Sequence, residues 1–183
     1  NGNTHIRVTN QIFPCAITIP MSQEMTITQW HVPIDDQNCY WYSMFTSFGE
    51  PVDKEKMRQQ RLREHRLPDY APLKNRSNEY GYDPQEQGSL TYTGMGLDIN
   101  VHDQWAVEGM GSIQDRTREH LGKSDIAIIS YRKKLRSAIA SLLQQKPSDL
   151  PMAGEIAAAV KGPVSIDTIA PSGQVEDAWR QAD

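Results

Sequence analysis

Cysteine is scarce, with Cys15 and Cys39 the only two among 183 residues. Both stand in strand-like, apolar or aromatic surroundings, so free buried thiols are expected rather than a disulfide or a ligand pair. An excess of one charge is also lacking. The net charge is −4 with both signs interspersed, and without a long basic run nothing favours nucleic acid or an anionic membrane. No apolar stretch is long enough to span a bilayer and no signal-peptide pattern opens the chain, so the sequence predicts a soluble, cytoplasmic protein. Neither a Gly-x-Gly-x-x-Gly turn, a phosphate loop nor a Gly-x-Ser-x-Gly elbow occurs. These absences argue against nucleotide binding and serine hydrolysis. Internal repeats are absent too.

What is present suits one domain with a real core. The apolar share of 38% is modest, which points to a globular body with long polar excursions. Asn1 rather than Met opens the chain, in the approach to a strand, as in a sequence continued from something upstream. Alternation over residues 5–9, 16–19 and 25–30, and the aromatic run 38–47, predict antiparallel strands joined by turns. The Asp35-Asp36 side chains are expected to build one such turn. Residues 53–67 read as a surface helix stopped by Pro68. Residues 68–96 read as a long polar connection, and a loop of that length is usually functional or a cover over a site, or equally a partner-binding arm.

Leu97, Val101 and Trp105 fall at helical spacing up to Gly109 and Gly111. Ser124 is read as the N-cap of a long helix, with Asp125 in its first turn. Ile128, Leu135, Ile139, Leu142 and Leu143 form its apolar stripe, and Arg132 falls on that stripe, so its head group needs a partner or a route to water. Strands first and a long helix last predict an α+β fold with the helix packed across a curved antiparallel sheet. After Pro147 small residues, Pro and Gly prevail. Residues 147–183 are therefore read as a tail, ordered where it docks, and 1–146 as the domain proper.

None of the histidines, at 5, 31, 65, 102 and 120, has the His-x-x-x-His spacing of a helical metal site. His102-Asp103 and Glu119-His120 are suggestive, because imidazole and carboxylate suit divalent iron. Neighbours on a helix point about 100° apart, so surface or capping roles are expected from spacing alone. The aromatic cluster of Trp30, Tyr40, Trp41 and Tyr42 would serve either as ordinary core or as the lining of a pocket for a flat apolar ligand.

Residues 100–132 contain Asp103, Glu108-Gly-Met-Gly111, Asp115-Arg-Thr-Arg-Glu-His-Leu-Gly122, Ser124-Asp125 and Arg132, and Trp30-His-Val-Pro-Ile-Asp-Asp36 lies upstream. Together these resemble the phthalate-dioxygenase-like Rieske oxygenases over most of residues 25–140. The resemblance implies the C-terminal part of the catalytic domain of an aromatic ring-hydroxylating oxygenase. It also implies a helix-grip fold, a curved antiparallel sheet wrapped around a long C-terminal helix, incomplete at the N-terminus. A mononuclear Fe(II) held by two histidines and a carboxylate, with open positions for dioxygen, belongs to that picture. Asp103 stands where the family's carboxylate ligand stands.

His102 and His120 do not match the family's histidine ligands, which lie upstream of this sheet. Cys15 and Cys39 have no His two or three residues downstream, so the Rieske 2Fe–2S cluster is expected on an absent N-terminal domain. Glu119 and Asp125 are expected to be structural. The implied partners are an aromatic, often carboxylated substrate, dioxygen, a reductase component and further copies of the chain in a trimer. Hydroxylation or O-demethylation, as dioxygenase or monooxygenase, is the implied chemistry, with this chain inactive by itself. Ile17, Trp30 and Tyr42 are candidates to face the ring, and a basic residue such as Arg7 or Arg61 would suit a carboxylate. Two rival readings are a metal-free helix-grip module binding an apolar ligand, and an interaction subunit using residues 53–96 and the tail as contact surfaces. Neither accounts for the run from 100 to 132.

Overall fold

The structure, a computed structural model, describes residues 2–146, 158 and 161–180. Strands β1 (Asn3–Val8), β2 (Asn10–Ile12), β3 (Ala16–Pro20), β4 (Met25–Pro33) and β5 (Cys39–Ser47) come first. Helix α1 (Lys54–Leu62), the short strands β6 (His65–Arg66) and β7 (Ala71–Pro72), and helices α2 (Pro84–Ser89), α3 (Ile99–Glu108) and α4 (Ile126–Leu143) follow. Strand β8 (Ile166–Pro171) and helix α5 (Val175–Arg180) close the described chain. The architecture is α+β with antiparallel sheets, and among the described residues no helix is long and apolar enough to cross a membrane.

One compact unit comprises Asn1–Ile34, Cys39–Glu50 and Thr117–Asp183. Its larger sheet is an antiparallel meander in the order β2-β3-β4-β5. Directly opposed residues share a face, and the register Ala16↔Trp30, Thr18↔Thr28 and Pro20↔Thr26 sets one face apart. Ala16, Thr18, Pro20, Thr26 and Thr28 are buried there. At the far end of the β4–β5 hairpin Asp35 Oδ1 accepts from the backbone N–H of Gln37 and Asn38 at 2.8 and 2.7 Å, the side-chain-built turn that the sequence predicts. These bonds to Gln37 and Asn38 hold the Asp35 carboxyl below its ordinary range.

Strand β8 pairs antiparallel with β1, from Asn3↔Pro171 to Val8↔Ile166. Ile6, Ile166 and Ala170 form a small core against which Val8, Val164, Val175 and Ala178 pack. A His5–Asp167 contact joins the two strands on the other side. Pro147, read from sequence as the boundary, lies outside the described residues.

Helix α4 departs from expectation in two ways. It begins at Ile126 after a 3-10 turn over Lys123–Asp125, and Ser124 is no cap; Asp125 Oδ2 instead accepts from Gly122 N at 2.8 Å. Its apolar stripe is also exposed, with Ile128, Ile139, Leu142 and Leu143 all open and Ala138 its buried residue. Tyr131 donates to the Pro14 carbonyl at 2.5 Å and meets Phe13 edge-on. Both cysteines are free, but Cys15 is half-buried and Cys39 exposed rather than buried.

The second unit comprises Asp35–Asn38 and Pro51–Arg116. Helix α1 is capped by Asp53, which accepts from Lys56 N at 3.0 Å, and ends at Leu62 rather than near Pro68. The chain then forms the β6–β7 hairpin. The segment read as a polar connection is locally ordered by α2 and by a buried cluster of Tyr80, Met95 and Val101.

Candidate functional site

Helix α3 is the platform of the candidate site, and its first turn is fixed by one carboxylate with two tasks. Asp98 caps the helix by accepting from Asn100 N at 2.9 Å, and the same buried side chain pairs with Arg61 at 2.5 Å. A capping carboxylate and a charge-assisted bond reinforce each other at a helix N-terminus. Val101 faces the buried cluster, and Gly109 ends the helix, donating to the Trp105 carbonyl.

His102 is half-buried and bonds back to the chain ahead of the helix, rather than taking the surface or capping role read from spacing. Its Nε2 lies 3.0 Å from the Gly96 carbonyl and 2.9 Å from Thr93 Oγ1. A carbonyl can only accept, so Nε2 carries the proton there. The same turn is held from its other side by Glu86, which accepts from Thr91 Oγ1 at 2.5 Å and from Gly96 N at 2.7 Å. The Thr91 bond, then the Gly96 bond, keep the Glu86 carboxyl below its usual range. Gly94 at φ +70 is required by this turn, since a Cβ would sit 2.6 Å from the Asp83 carbonyl. At the other end of α3, Glu108 accepts from the buried Tyr80 hydroxyl at 2.5 Å. Burial, then that bond, push the Tyr80 phenol up to about 12.

Asp103 is exposed on α3. Two residues along a helix correspond to about 200°, so Asp103 lies on the side away from Val101 and Trp105. Among the described residues no three His, Cys, Asp or Glu side chains gather closely enough to hold a metal ion. The residues present therefore do not fit an iron ion by themselves; they offer a single carboxylate on a well-anchored helix.

The pocket candidates Ile17, Trp30 and Tyr42 lie in the first unit. Trp30 and Tyr42 are directly opposed across β4 and β5 and share a face. Tyr40 and Tyr42 have ring centroids 5.9 Å apart. Ile17 pairs with Gln29, not with Trp30, so its side chain belongs to the opposite face. Neither arginine considered for a substrate carboxylate is idle: Arg61 is held by Asp98, and Arg7 donates to the Pro20 carbonyl at 2.8 Å.

Sequence reasoning missed a cleft of about 380 Å³ in the second unit, walled by Tyr82, Tyr92 and Trp105 above Met95. The available signal was a pair of tyrosines in an otherwise polar, glycine-punctuated segment.

A family model described as LigXa C-terminal domain like matches residues 1–182. The chain is also similar to the phthalate 4,5-dioxygenase oxygenase subunit of Pseudomonas putida, at 28% identity over 144 residues, covering 75% of this chain and 32% of that protein. It thus spans 32% of the length of the curated relative that it matches. Both comparisons agree with the likeness to the C-terminal catalytic part of a Rieske-type oxygenase. On a match that runs over residues 1–182, the chain belongs to the LigXa C-terminal domain-like family.

Proposed function

We propose that the chain is part of the terminal oxygenase component of a Rieske non-haem iron system. Such a component activates dioxygen to hydroxylate or O-demethylate an aromatic, carboxylated substrate. The observation that carries this reading is Asp103, an exposed carboxylate on a helix locked by the Asp98–Arg61 pair, within the run from 100 to 132 that bears the family resemblance. In this reading Asp103 is the one ligand that the chain gives to a mononuclear Fe(II). The two histidine ligands and the Rieske 2Fe–2S cluster come from elsewhere in the oxygenase. Those groups supply the redox chemistry when bound, and the protein's task is to position ligand and substrate.

Residues 1–146 are the catalytic part and 147–183 the tail, whose end adds β8 beside β1. The helix-grip arrangement is proposed for the complete domain, where a curved sheet would cover the exposed stripe of α4. Trp30 and Tyr42 offer an aromatic face to the substrate ring, a role that Ile17 on the opposite face does not share. A reductase component and a homotrimeric assembly in the cytoplasm complete the proposal.

The test is iron content in the protein made from its complete reading frame. Asp103→Ala is expected to lose the iron that is not part of the cluster, and with it turnover. A folded variant, checked by its thermal unfolding transition, is the condition for that comparison. Iron retained at the unmutated stoichiometry would overturn the assignment. An iron-free unmutated protein that still binds an apolar ligand would favour the metal-free helix-grip module.

A further inference from the structure

We propose that the cleft beside α3 binds a small molecule that carries a quaternary ammonium group. The proposal does not depend on Asp103 or on the oxygenase reading. The cleft has a volume of about 380 Å³, at the small end of the range for ligand pockets, with Tyr82, Tyr92, Trp105, Met95 and Glu79 among its lining. Its rings lie open to water: Tyr92 is 96% exposed, Trp105 53% and Tyr82 45%. The face of an aromatic ring carries negative potential and attracts a cation placed over it, tryptophan most strongly. Rings of this kind gathered with a carboxylate about one cleft are the parts of an aromatic cage for a cation.

The charge around the cleft suits a cation. Glu79 is the charged residue of the lining. Lys74 Nζ donates to the Met95 carbonyl at 2.9 Å, so its ammonium is bound to the backbone at the floor, and Glu86 lies within its field. Around the floor and the adjoining turn the balance is acidic, with Glu79, Asp83, Glu86 and Glu108 against Lys74 and Arg76. The lining also selects the kind of cation. A primary ammonium or a guanidinium brings several N–H donors that need acceptors. The Gln87 oxygen is already taken by the Tyr82 hydroxyl at 2.7 Å, and Thr93 Oγ1 by His102 and the Met95 amide. The methyl groups of a quaternary ammonium need no acceptor and pack on rings and on the soft thioether of Met95, itself 4% exposed. The cleft is built in advance of any ligand. Glu79 and Tyr80 are held at φ 54 and 57, a conformation that persists in ordinary residues only when the surroundings enforce it. His102 and Glu86 clamp the 93–96 turn from its two sides.

Calorimetric titration of the protein made from its complete reading frame with tetramethylammonium chloride, at constant ionic strength, tests this. The uncharged control of similar shape is tert-butanol. The cation is expected to bind saturably with a dissociation constant on the order of 1 mM, and the alcohol at least about tenfold more weakly. Tyr92→Leu should weaken the cation about two- to tenfold, whereas Tyr92→Phe, which keeps the ring, should retain most of the affinity. At 96% exposure neither change removes packing from the fold. Glu79→Gln keeps the shape without the charge and should weaken the cation about two- to fivefold. Asp103→Ala should leave this binding unaltered, so failure of the iron assignment and failure of this one are separable. No saturable binding of tetramethylammonium, tert-butanol binding as tight, or an affinity unchanged in both Tyr92→Leu and Glu79→Gln would overturn the proposal.

Discussion

Arg132 and Glu119 form a two-pronged ion pair, Nη1 to Oε2 at 2.7 Å and Nη2 to Oε1 at 3.0 Å. Arg132 lies on the apolar stripe of α4, and this pair is the partner that its position demands. Glu119 is only 15% exposed, against 34% for Arg132. The Glu119 bond foremost raises the arginine above its ordinary pKa. Solvent screens such a pair, so the expected cost of Glu119→Gln is about 1–2 kcal/mol rather than that of a buried bridge. Arg132→Lys should restore less than half of the stability difference between wild type and Arg132→Met, because an ammonium cannot reproduce the planar fork. Urea unfolding midpoints decide it, and an unchanged midpoint in Glu119→Gln would show the pair to be energetically silent.

The Glu86 carboxylate should make the 91–96 turn sensitive to acid. Its pKa lies below the usual value in the folded protein, through the Thr91 and Gly96 bonds. The unfolded chain therefore takes up the proton first as pH falls. The stabilisation is complete above the ordinary glutamate range and is lost as pH drops through the lower folded value. The Gly96 amide donates directly to this carboxylate, so its NMR shift should titrate with a midpoint below that of an unperturbed glutamate. Glu86→Gln should remove that titration. A Gly96 midpoint at or above the ordinary glutamate value would contradict the assignment.

How much of this could be read from the residues depended on whether the signal was local. Strands β1, β3, β4 and β5 were legible because their alternation or aromatic density is a property of consecutive residues, as was the Asp35 turn. Strand β8 was not, since its pairing with β1 joins residues more than about 150 positions apart and no local pattern announces it. Arg132 on an apolar stripe signalled the need for a partner, yet only the fold identifies Glu119. The start of α4 was misplaced because Ser124 sits in a 3-10 turn instead of a cap, the usual uncertainty at helix ends. Residues 68–96 read as a long polar connection, functional, covering or partner-binding, without elements of its own, because their order rests on non-periodic bonds, from Thr91 and Gly96 to Glu86 and from His102 to Gly96. At the site, Asp103 was singled out by resemblance alone, and spacing by itself would have passed it over. Ile17 was grouped with Trp30 and Tyr42 on hydropathy, and the register of β3 on β4 separates them.

The middle of the meander offers a test of how its face is held together. Thr18 and Thr28 are opposed in the β3–β4 register, with their hydroxyls 2.9 Å apart and the residues 0% and 4% exposed. Each hydroxyl is removed from water, so each relies on the other for its hydrogen bond. Thr18→Val leaves the Thr28 hydroxyl buried without that bond, and Thr28→Val does the reverse; either should cost about 1–3 kcal/mol. Valine keeps the branched shape and the strand preference, so the loss belongs to the orphaned polar group. Replacing both residues removes the orphan with its partner, and the double variant should lie close to the starting stability. A double-mutant cycle in urea would then show a coupling of at least about 1 kcal/mol. Strict additivity of the two single changes would mean that the hydroxyls contribute independently and that the face is held by packing alone.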